Sequence, residues 1–423
     1  MLRLHARVCG QYVGYFEKRF ELDQPRFFYS DDAAVDLSLS MPRSRGISEP
    51  EEAMIFLEAL VPENPGQRDE LRRFVGAQSD SPWDLLAAIG GDLAGGVTLS
   101  LDEDDPGESE LYQYLASDQD VATRIRAIKD GRNQFTAVDA PARFSLAGAQ
   151  GKFALARAQV TGVIESYWPN HATPSTHILK PEAPHYDGLE LIEAATLQLA
   201  ARSGVVAASA HQVMFDGQTT FMVERFDRAV GADDIVRRIH AEDMLQALGS
   251  QRDKYMVDAS GIVHLLSGSG KGEELSFQFI RQFVFNTIIG NADAHAKNYT
   301  ILHTQDGAAI APLYDSIPLS LFPRFVDSHG DETALDQSLA MPLDGTNRFE
   351  LLTGAEWAVF AREAGVEPGR VYSVVNEVSA GILENIDKTL GAVNHPRVQT
   401  GGLGLLVESA ERHERYSADR LRA

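Results

Sequence analysis

The sequence predicts an α+β protein in which strands dominate the first half of the chain and helices dominate the second. Apolar and polar residues alternate through much of residues 2–29, which is typical of β-strands. Two further apolar strings flank Asp216-Gly217, a pair that favours a tight hairpin turn. Beyond residue 240, apolar residues recur mainly at helical spacing. These three patterns indicate a mixed fold.

The N-terminal segment has the pattern of a small unit of strands and helices. Strands are expected on both sides of a turn at Gly10-Gln11, and residues 97–101 are expected to form a closing strand. Two helices should lie between them, and the clearer one has Ser81 as N-cap and Pro82 at its first position. The acidic run at residues 102–110 is either a solvated connection to the main body or an ordinary loop within one domain.

Regular patterns continue in the middle of the chain and lead into the helical half. Residues 176–180 have strand character, and residues 189–204 form an amphipathic pattern that predicts a helix ending at Gly204. After residue 240, the helical pattern is interrupted mainly by a hairpin-like segment at residues 299–313.

Composition limits the classes of function. The 423-residue chain carries a formal net charge of −23, which argues against binding DNA alone but leaves room for a basic partner that contacts DNA. Cys9 is the only cysteine, so neither an internal disulfide nor a thiolate-rich metal site is expected. The first residues lack the apolar core of a signal peptide, and no apolar segment is long enough to span a bilayer. We therefore expect a soluble, cytoplasmic protein.

The most informative polar run is GNADAHAKN, residues 290–298, which follows a long apolar segment. A helix through residues 277–289 should support it, with Gly290 ending the helix. A short hairpin after the run should then return Asp315 to the neighbourhood of Asn298. Protein kinases space a catalytic Asp, a Mg²⁺-binding Asn and a second metal-binding Asp in this way. The residues alone fit equally well a capped helix end followed by a hydrophilic loop.

Under the kinase interpretation, each polar side chain in this run has a defined task. Asp293 would position or deprotonate the attacking hydroxyl, and Lys297 could offset developing phosphoryl charge. Asn298 and Asp315 supply hard oxygen ligands, which suit Mg²⁺.

A kinase also needs groups that hold the nucleotide. Lys180 ends a predicted strand and could reach the phosphates, with Glu193 on the next helix as its orienting partner; solvent exposure is the commoner state of such a lysine. The backbone of Glu224 to Phe226 lies where an interlobe hinge would read the purine. Gly148 and Gly151 would let backbone amides approach phosphates, although the segment matches no standard phosphate-loop pattern and by itself indicates only a turn.

Taken together, the motifs resemble the HipA-type serine/threonine kinases, which are toxins of bacterial toxin–antitoxin modules. The resemblance covers nearly the whole chain, and its most specific parts are DAHAKN and SLAGAQGK. It implies a two-lobed kinase-like fold and the regions 1–105 (N-terminal subdomain), 106–235 (rest of the N-terminal lobe) and 236–423 (helical C-terminal lobe).

The resemblance also implies residue roles. ATP and Mg²⁺ would be the cofactors, with Asn298 and Asp315 as metal ligands. The catalytic group would be Asp293, Lys180, His295 and Lys297. The nucleotide would contact Ala147, Gly148, Ala149, Gln150, Gly151, Lys152, Lys180, Glu224, Arg225, Phe226, His295, Asn298, Tyr314 and Asp315.

Regulation and partners follow from the same resemblance. Ser145 matches the serine that these kinases autophosphorylate to switch themselves off, although without the family it indicates only a buried turn hydroxyl. The family pairs with a small helix-turn-helix antitoxin that contacts DNA, and some members phosphorylate an aminoacyl-tRNA synthetase. Two other functions remain open: a mainly non-catalytic corepressor bound to the antitoxin, and a small-molecule phosphotransferase.

Overall fold

The structure is a computed structural model that describes residues 1–20, 23–104, 110–131, 151–160, 163–182, 186–231, 233–249, 254–326 and 332–422. The first part of the chain contains β1 (Leu2–Val8), β2 (Gln11–Lys18), β3 (Arg26–Tyr29), α1 (Pro50–Ala59), α2 (Pro65–Val75), α3 (Pro82–Ile89), β4 (Val97–Ser100), α4 (Asp118–Lys129), β5 (Phe153–Val160), β6 (Val163–Tyr167), β7 (His177–Lys180), α5 (Leu189–Arg202), β8 (Ala210–Phe215), β9 (Gln218–Glu224), β10 (Arg228–Val230), β11 (Val236–Arg238), β12 (His240–Asp243) and α6 (Met244–Leu248).

The remainder contains α7 (Ala259–Ser267), α8 (Gly272–Ile288), β13 (Thr300–Thr304), β14 (Gly307–Ile310), β15 (Arg324–Val326), β16 (Glu332–Ala334), β17 (Ser338–Leu343), β18 (Thr346–Arg348), α9 (Glu356–Glu363), α10 (Pro368–Asn385) and α11 (Leu403–Arg422). The chain divides into two compact units. The first contains residues 1–183, 213–251 and 302–307, and the second contains residues 184–212, 252–301 and 308–423.

The first unit begins with a four-stranded sheet in the order β3-β2-β1-β4. Its strands are antiparallel, and α1, α2 and α3 bury an apolar core that includes Phe16, Phe27 and Phe56. Three helices lie between the strands where two were expected. The weak apolar pattern of α2 explains the difference, since only Gln67 and Leu71 of this helix are buried.

A second sheet, most of which belongs to the first unit, has the order β6-β5-β7-β9-β8. The predicted hairpin is present between β8 and β9. Asp216 and Gly217 have φ values of 40° and 76° at its turn, the left-handed backbone that tight two-residue hairpins require. Helix α4 shares a buried core with this sheet, through residues such as Ile125 and Met222.

The second unit is mainly helical, as the periodicity predicted. Its core is built around α8, which packs against α7, α10 and α11. Besides the predicted hairpin, two short strand pairs interrupt the helices, since β15 pairs with β16 and β17 with β18, and the sequence analysis did not identify them. Three of these strands are only three residues long, too short for alternation to be visible. No helix in the described part of the chain is both long and apolar enough to cross a bilayer.

Candidate active site

Helix α8 provides a rigid support for the polar run that follows it. Most of its residues are buried, and the helix extends from Gly272 to Ile288, so it begins earlier than the sequence predicted. Gly290 ends it with φ +65°, and a Cβ atom there would lie 2.8 Å from the ring of Phe349. Both the backbone conformation and the close contact therefore require glycine at this position.

A buried hydrogen-bond network organises the loop after α8. The Nδ2 of Asn286 donates to the Tyr299 hydroxyl at 3.0 Å, and its Oδ1 accepts from Asn291 at 3.1 Å. Asn291 in turn accepts a 3.3 Å bond from the backbone N–H of Asp293. Since buried amides must be paired, this network fixes the path of the loop.

The same network brings Asp315 to the loop. Asn291 Nδ2 also donates to the Asp315 carbonyl at 3.1 Å, and Ser316 donates to Asn286 at 2.7 Å. Asp315 adopts φ 49°, a left-handed conformation that costs a non-glycine residue of the order of 1 kcal/mol. The surrounding hydrogen bonds hold Asp315 in this strained position, as is common at functional sites.

The hairpin between Asn298 and Asp315 is also present. Strands β13 and β14 are neighbours in one sheet, and the Ala311 N–H donates to Thr300 O at 2.9 Å. At the base of the hairpin, the Tyr314 hydroxyl donates to Lys297 O at 2.9 Å. The two chain segments that carry the predicted metal ligands are thus hydrogen-bonded to each other.

The Asp293 carboxylate is reachable from solvent, with 58% of its side chain exposed. Its Oδ1 accepts a 2.9 Å hydrogen bond from the Tyr255 hydroxyl and lies 3.7 Å from His295 Nε2. The ring of Tyr255 meets the His295 ring edge-on at 5.3 Å. Burial, and then the negative charge of Asp293, raise the pKa of Tyr186.

Asn298 is oriented by the loop itself. Its Nδ2 donates to the Asp293 carbonyl at 2.8 Å, and the residue is buried. With the amide nitrogen used in this way, Oδ1 faces the opposite side of the side chain. That oxygen and the Asp315 carboxylate are hard donors of the kind that Mg²⁺ prefers.

In the first unit, the sheet brings Lys180 and the end of the glycine-rich segment together. Phe153 of β5 pairs with Leu179 of β7 in antiparallel register. The residue before Phe153 and the residue after Leu179 are therefore at the same end of the strand pair. These residues are Lys152 and Lys180. Lys180 is buried rather than solvent-exposed, and its Nζ lies 5.3 Å from the centroid of the Phe221 ring.

The predicted hinge follows directly from β9. Glu224 ends that strand opposite His177, and the Arg225 N–H donates to Thr176 O at 2.9 Å. The Arg225 side chain is buried in an ion-pair cluster, where it contacts Asp227 at 2.6 Å. Burial alone would raise the pKa of Asp227, but Arg225 and a neighbouring arginine hold it far below its usual value. The Arg225 side chain is thus occupied, and only the backbone of this residue remains a candidate for nucleotide contact.

The predicted residues Ser145 and Ala147 to Gln150 lie outside the described residues. Glu193 is buried on α5 in the second unit, whereas Lys180 belongs to the first. Their proposed ion pair stays a prediction.

Several positioning residues were missed by the sequence analysis. Asn286 and Asn291 carry the network, and Tyr255 contacts the candidate base. One signal was available for Asn286: an amide within the apolar string FVFNTII must find a partner when it is buried.

Comparison with known proteins identifies relatives that match most of the chain. The profile of the HipA N-terminal domain matches residues 4–100, and that of the HipA-like C-terminal domain matches residues 144–386. The candidate kinase Y4mE of Sinorhizobium fredii is 29% identical over 371 residues, 85% of this chain and 84% of that protein. The serine/threonine-protein kinase toxin HipA of Shewanella oneidensis is 29% identical over 308 residues, 69% of this chain and 66% of that protein.

The fold comparison extends over the full length. The chain matches a solved structure of HipA from Shewanella oneidensis MR-1, in complex with HipB and its operator DNA, with a TM-score of 0.77. The match covers 99% of both chains at 24% sequence identity. It confirms the predicted two-lobed, kinase-like α+β fold.

Proposed function

Because the chain belongs to the HipA family, which includes a serine/threonine-protein kinase toxin, we propose that it is a Mg²⁺- and ATP-dependent protein serine/threonine kinase that acts as the toxin of a toxin–antitoxin module. One observation carries the catalytic part of this proposal. The loop at residues 290–298 and the segment at Asp315 are joined by the side chain of Asn291 and by the Tyr314 hydroxyl.

In the proposed reaction, the oxygen of a substrate serine or threonine forms a bond to the γ-phosphorus of ATP. The bond from that phosphorus to the β,γ-bridging oxygen breaks, and ADP leaves. Asp293 accepts the hydroxyl proton, and its exposed carboxylate can reach a substrate from solvent. His295 and Lys297 follow Asp293 in the same loop and belong to the proposed catalytic group.

Asn298 Oδ1 and the Asp315 carboxylate would hold Mg²⁺. One carboxylate and one carboxamide fit an ion that keeps waters and substrate phosphates in its shell. Waters and phosphate oxygens of the nucleotide would complete the coordination of the ion. When bound, the ion would neutralise charge on the phosphates.

The proposed nucleotide contacts are those that the family resemblance implies. Lys180, buried on β7, would contact the phosphates, and residues 147–152 would cover them. The backbone of residues 224–226 would contact adenine. Tyr314, next to the proposed ligand Asp315, is a further proposed nucleotide contact.

Regulation, substrate and localisation complete the proposal. We place the protein in the cytoplasm, where it would autophosphorylate Ser145. A phosphate adds about two negative charges at neutral pH, and a doubly charged group on a loop that must pack inward would favour a solvated position outside the site. A translation component such as an aminoacyl-tRNA synthetase is the proposed substrate.

The proposed partner is a small helix-turn-helix antitoxin resembling HipB. The Shewanella oneidensis relative was solved with HipB and operator DNA. A net charge of −23 suits this chain to a basic partner, because opposite charges speed association. DNA would then be contacted through the antitoxin.

Expression in bacteria tests the toxin role. Wild type, Asp293→Asn and Asp306→Asn are compared for growth and for phosphorylated proteins, with Asp306 as a control in the β13–β14 turn. Growth arrest and new phosphoserine or phosphothreonine sites should be lost in Asp293→Asn and kept in Asp306→Asn. Arrest by Asp293→Asn with antitoxin binding intact would instead favour the non-catalytic corepressor.

A further inference from the structure

The residue at the centre of this inference is Tyr255, in a short 3₁₀ turn over Lys254–Met256. This turn packs against the turn that carries Asn298 and against β17. Tyr255 is 48% exposed, so it does not contribute to the core. Its hydroxyl nevertheless donates a 2.9 Å hydrogen bond to Asp293 Oδ1.

This hydrogen bond has the geometry that a kinase requires between its general base and the substrate hydroxyl. A general base must lie about 2.6–3.2 Å from the oxygen whose proton it accepts. The Tyr255 oxygen meets that condition toward the Asp293 carboxylate. His295 Nε2 lies 3.7 Å from the same carboxylate oxygen, which therefore has two side-chain neighbours on an otherwise exposed carboxylate.

We propose that the Tyr255 hydroxyl occupies the position of the substrate hydroxyl on Asp293, so that a serine or threonine must displace it in order to react. Tyr255 is then a gate to the acceptor site that sets how tightly protein substrates bind. The inference rests on the proposed function, because it takes Asp293 as the base that receives the substrate hydroxyl.

The surroundings of Tyr255 allow such a displacement. Lys254 lies with its Nζ 5.2 Å from the Tyr255 ring centroid, and Met256 is 68% exposed. The ring contacts His295 edge-on from the side of the loop. A half-exposed side chain in a three-residue turn can rotate into solvent without opening the core.

The test replaces one hydroxyl. Tyr255→Phe keeps the ring and its contact with His295 but removes the donor to Asp293. Tyr372→Phe is the matched control, because it removes a hydroxyl on α10 beside Tyr416. Peptides with a single serine, and the same peptides with alanine instead, serve as probes. Their Kd is measured with a non-hydrolysable ATP analogue, and KM and kcat are measured with ATP.

Tyr255→Phe should lower both Kd and KM for serine peptides by about three- to tenfold, the typical net contribution of one intramolecular hydrogen bond. The kcat should stay within about twofold, since only ground-state competition is removed. Alanine peptides and the Tyr372→Phe variant should show no gain. A merely structural role would leave serine-peptide binding unchanged or weaken it.

Equal serine-peptide affinity of wild type and Tyr255→Phe would overturn the inference, as would a gain that alanine peptides share or a failure of both proteins to bind any peptide. A failure of the proposed function gives a different result. In that case the wild type binds serine peptides and ATP but transfers no phosphate, and the Kd comparison still decides whether Tyr255 competes for the site.

Discussion

The side-chain amide of Asn291 donates a 3.1 Å hydrogen bond to the backbone carbonyl of Asp315, across a gap of 24 residues in sequence. This contact joins the loop of the candidate base to the candidate metal ligand. Asn286 lies behind it and accepts from both Asn291 and Ser316. The position of Asp315 therefore depends on two buried amides that need not touch any substrate.

Asn286→Ala should accordingly reduce phosphate transfer by about 10- to 100-fold, because small displacements of catalytic groups are costly. It should also lower the free energy of unfolding by about 1–3 kcal/mol, since Asn291 and Ser316 lose a buried acceptor. Kinetics and chemical denaturation measure the two effects. Ser276→Ala on the same helix is the control, as its buried Oγ has no hydrogen-bond partner among the described residues. Equal activity of the two variants would contradict this role.

Asp315→Gly should separate stability from activity. Asp315 has φ 49°, so glycine should relieve strain and raise the free energy of unfolding by about 1 kcal/mol. Loss of the carboxylate should reduce phosphate transfer by about 1000-fold or more. Asp344→Gly is the matched control, because Asp344 has φ 48° in the turn between β17 and β18.

The control should show the same stabilisation with full activity. Thermal denaturation measures the stability of the two glycine variants, and steady-state kinetics measures their phosphate transfer. A strong loss of stability in Asp315→Gly would indicate that the carboxylate is structural and would contradict a metal-binding role.

Part of the candidate site could be predicted from the sequence, because the residue patterns that indicate it are local. The spacing of Asp293 and Asn298, the glycine after α8 and the hairpin turn lie within a short stretch. Amphipathic periodicity likewise identified α5 and most of α8. These elements depend on neighbours a few residues apart, which a sequence displays directly.

The remainder depends on contacts between distant positions. Tyr255 reaches Asp293 across 38 residues, and Arg225 reaches the Leu93 carbonyl across 132. Nothing in the local pattern of Tyr255 distinguishes it from other half-exposed tyrosines. Strands β15, β16 and β18 were missed for a different reason, since three residues are too few for alternation to be visible.

Acid should destabilise the protein through His413, which is buried on α11. Burial lowers the pKa of His413 to about 4, although its hydrogen bond with Ser409 O opposes the shift. Since the unfolded side chain has a pKa of about 6.5, the unfolded state binds the proton more readily. The contribution of His413 to the free energy of unfolding is therefore fully present above pH ~6.5 and is lost as the pH is lowered toward ~4.

From these values, the contribution of His413 to the free energy of unfolding should decrease by about 2 kcal/mol between pH 7 and pH 5. Urea denaturation of wild type and His413→Gln at both pH values measures the difference. His264→Gln on α7 is the control, as that histidine is solvent-exposed. An identical loss of stability for wild type and His413→Gln would contradict the assignment.

Phosphate transfer from γ-labelled ATP tests the central claim most directly, because it reports on Asp293 and Asp315 together with the nucleotide. Purified wild type, Asp293→Ala, Asp315→Ala and the control Asp306→Asn are incubated with Mg²⁺, and labelled sites are mapped. We predict label on Ser145 in wild type and in the control, and none in the two alanine variants. Retained labelling in both alanine variants would contradict the account.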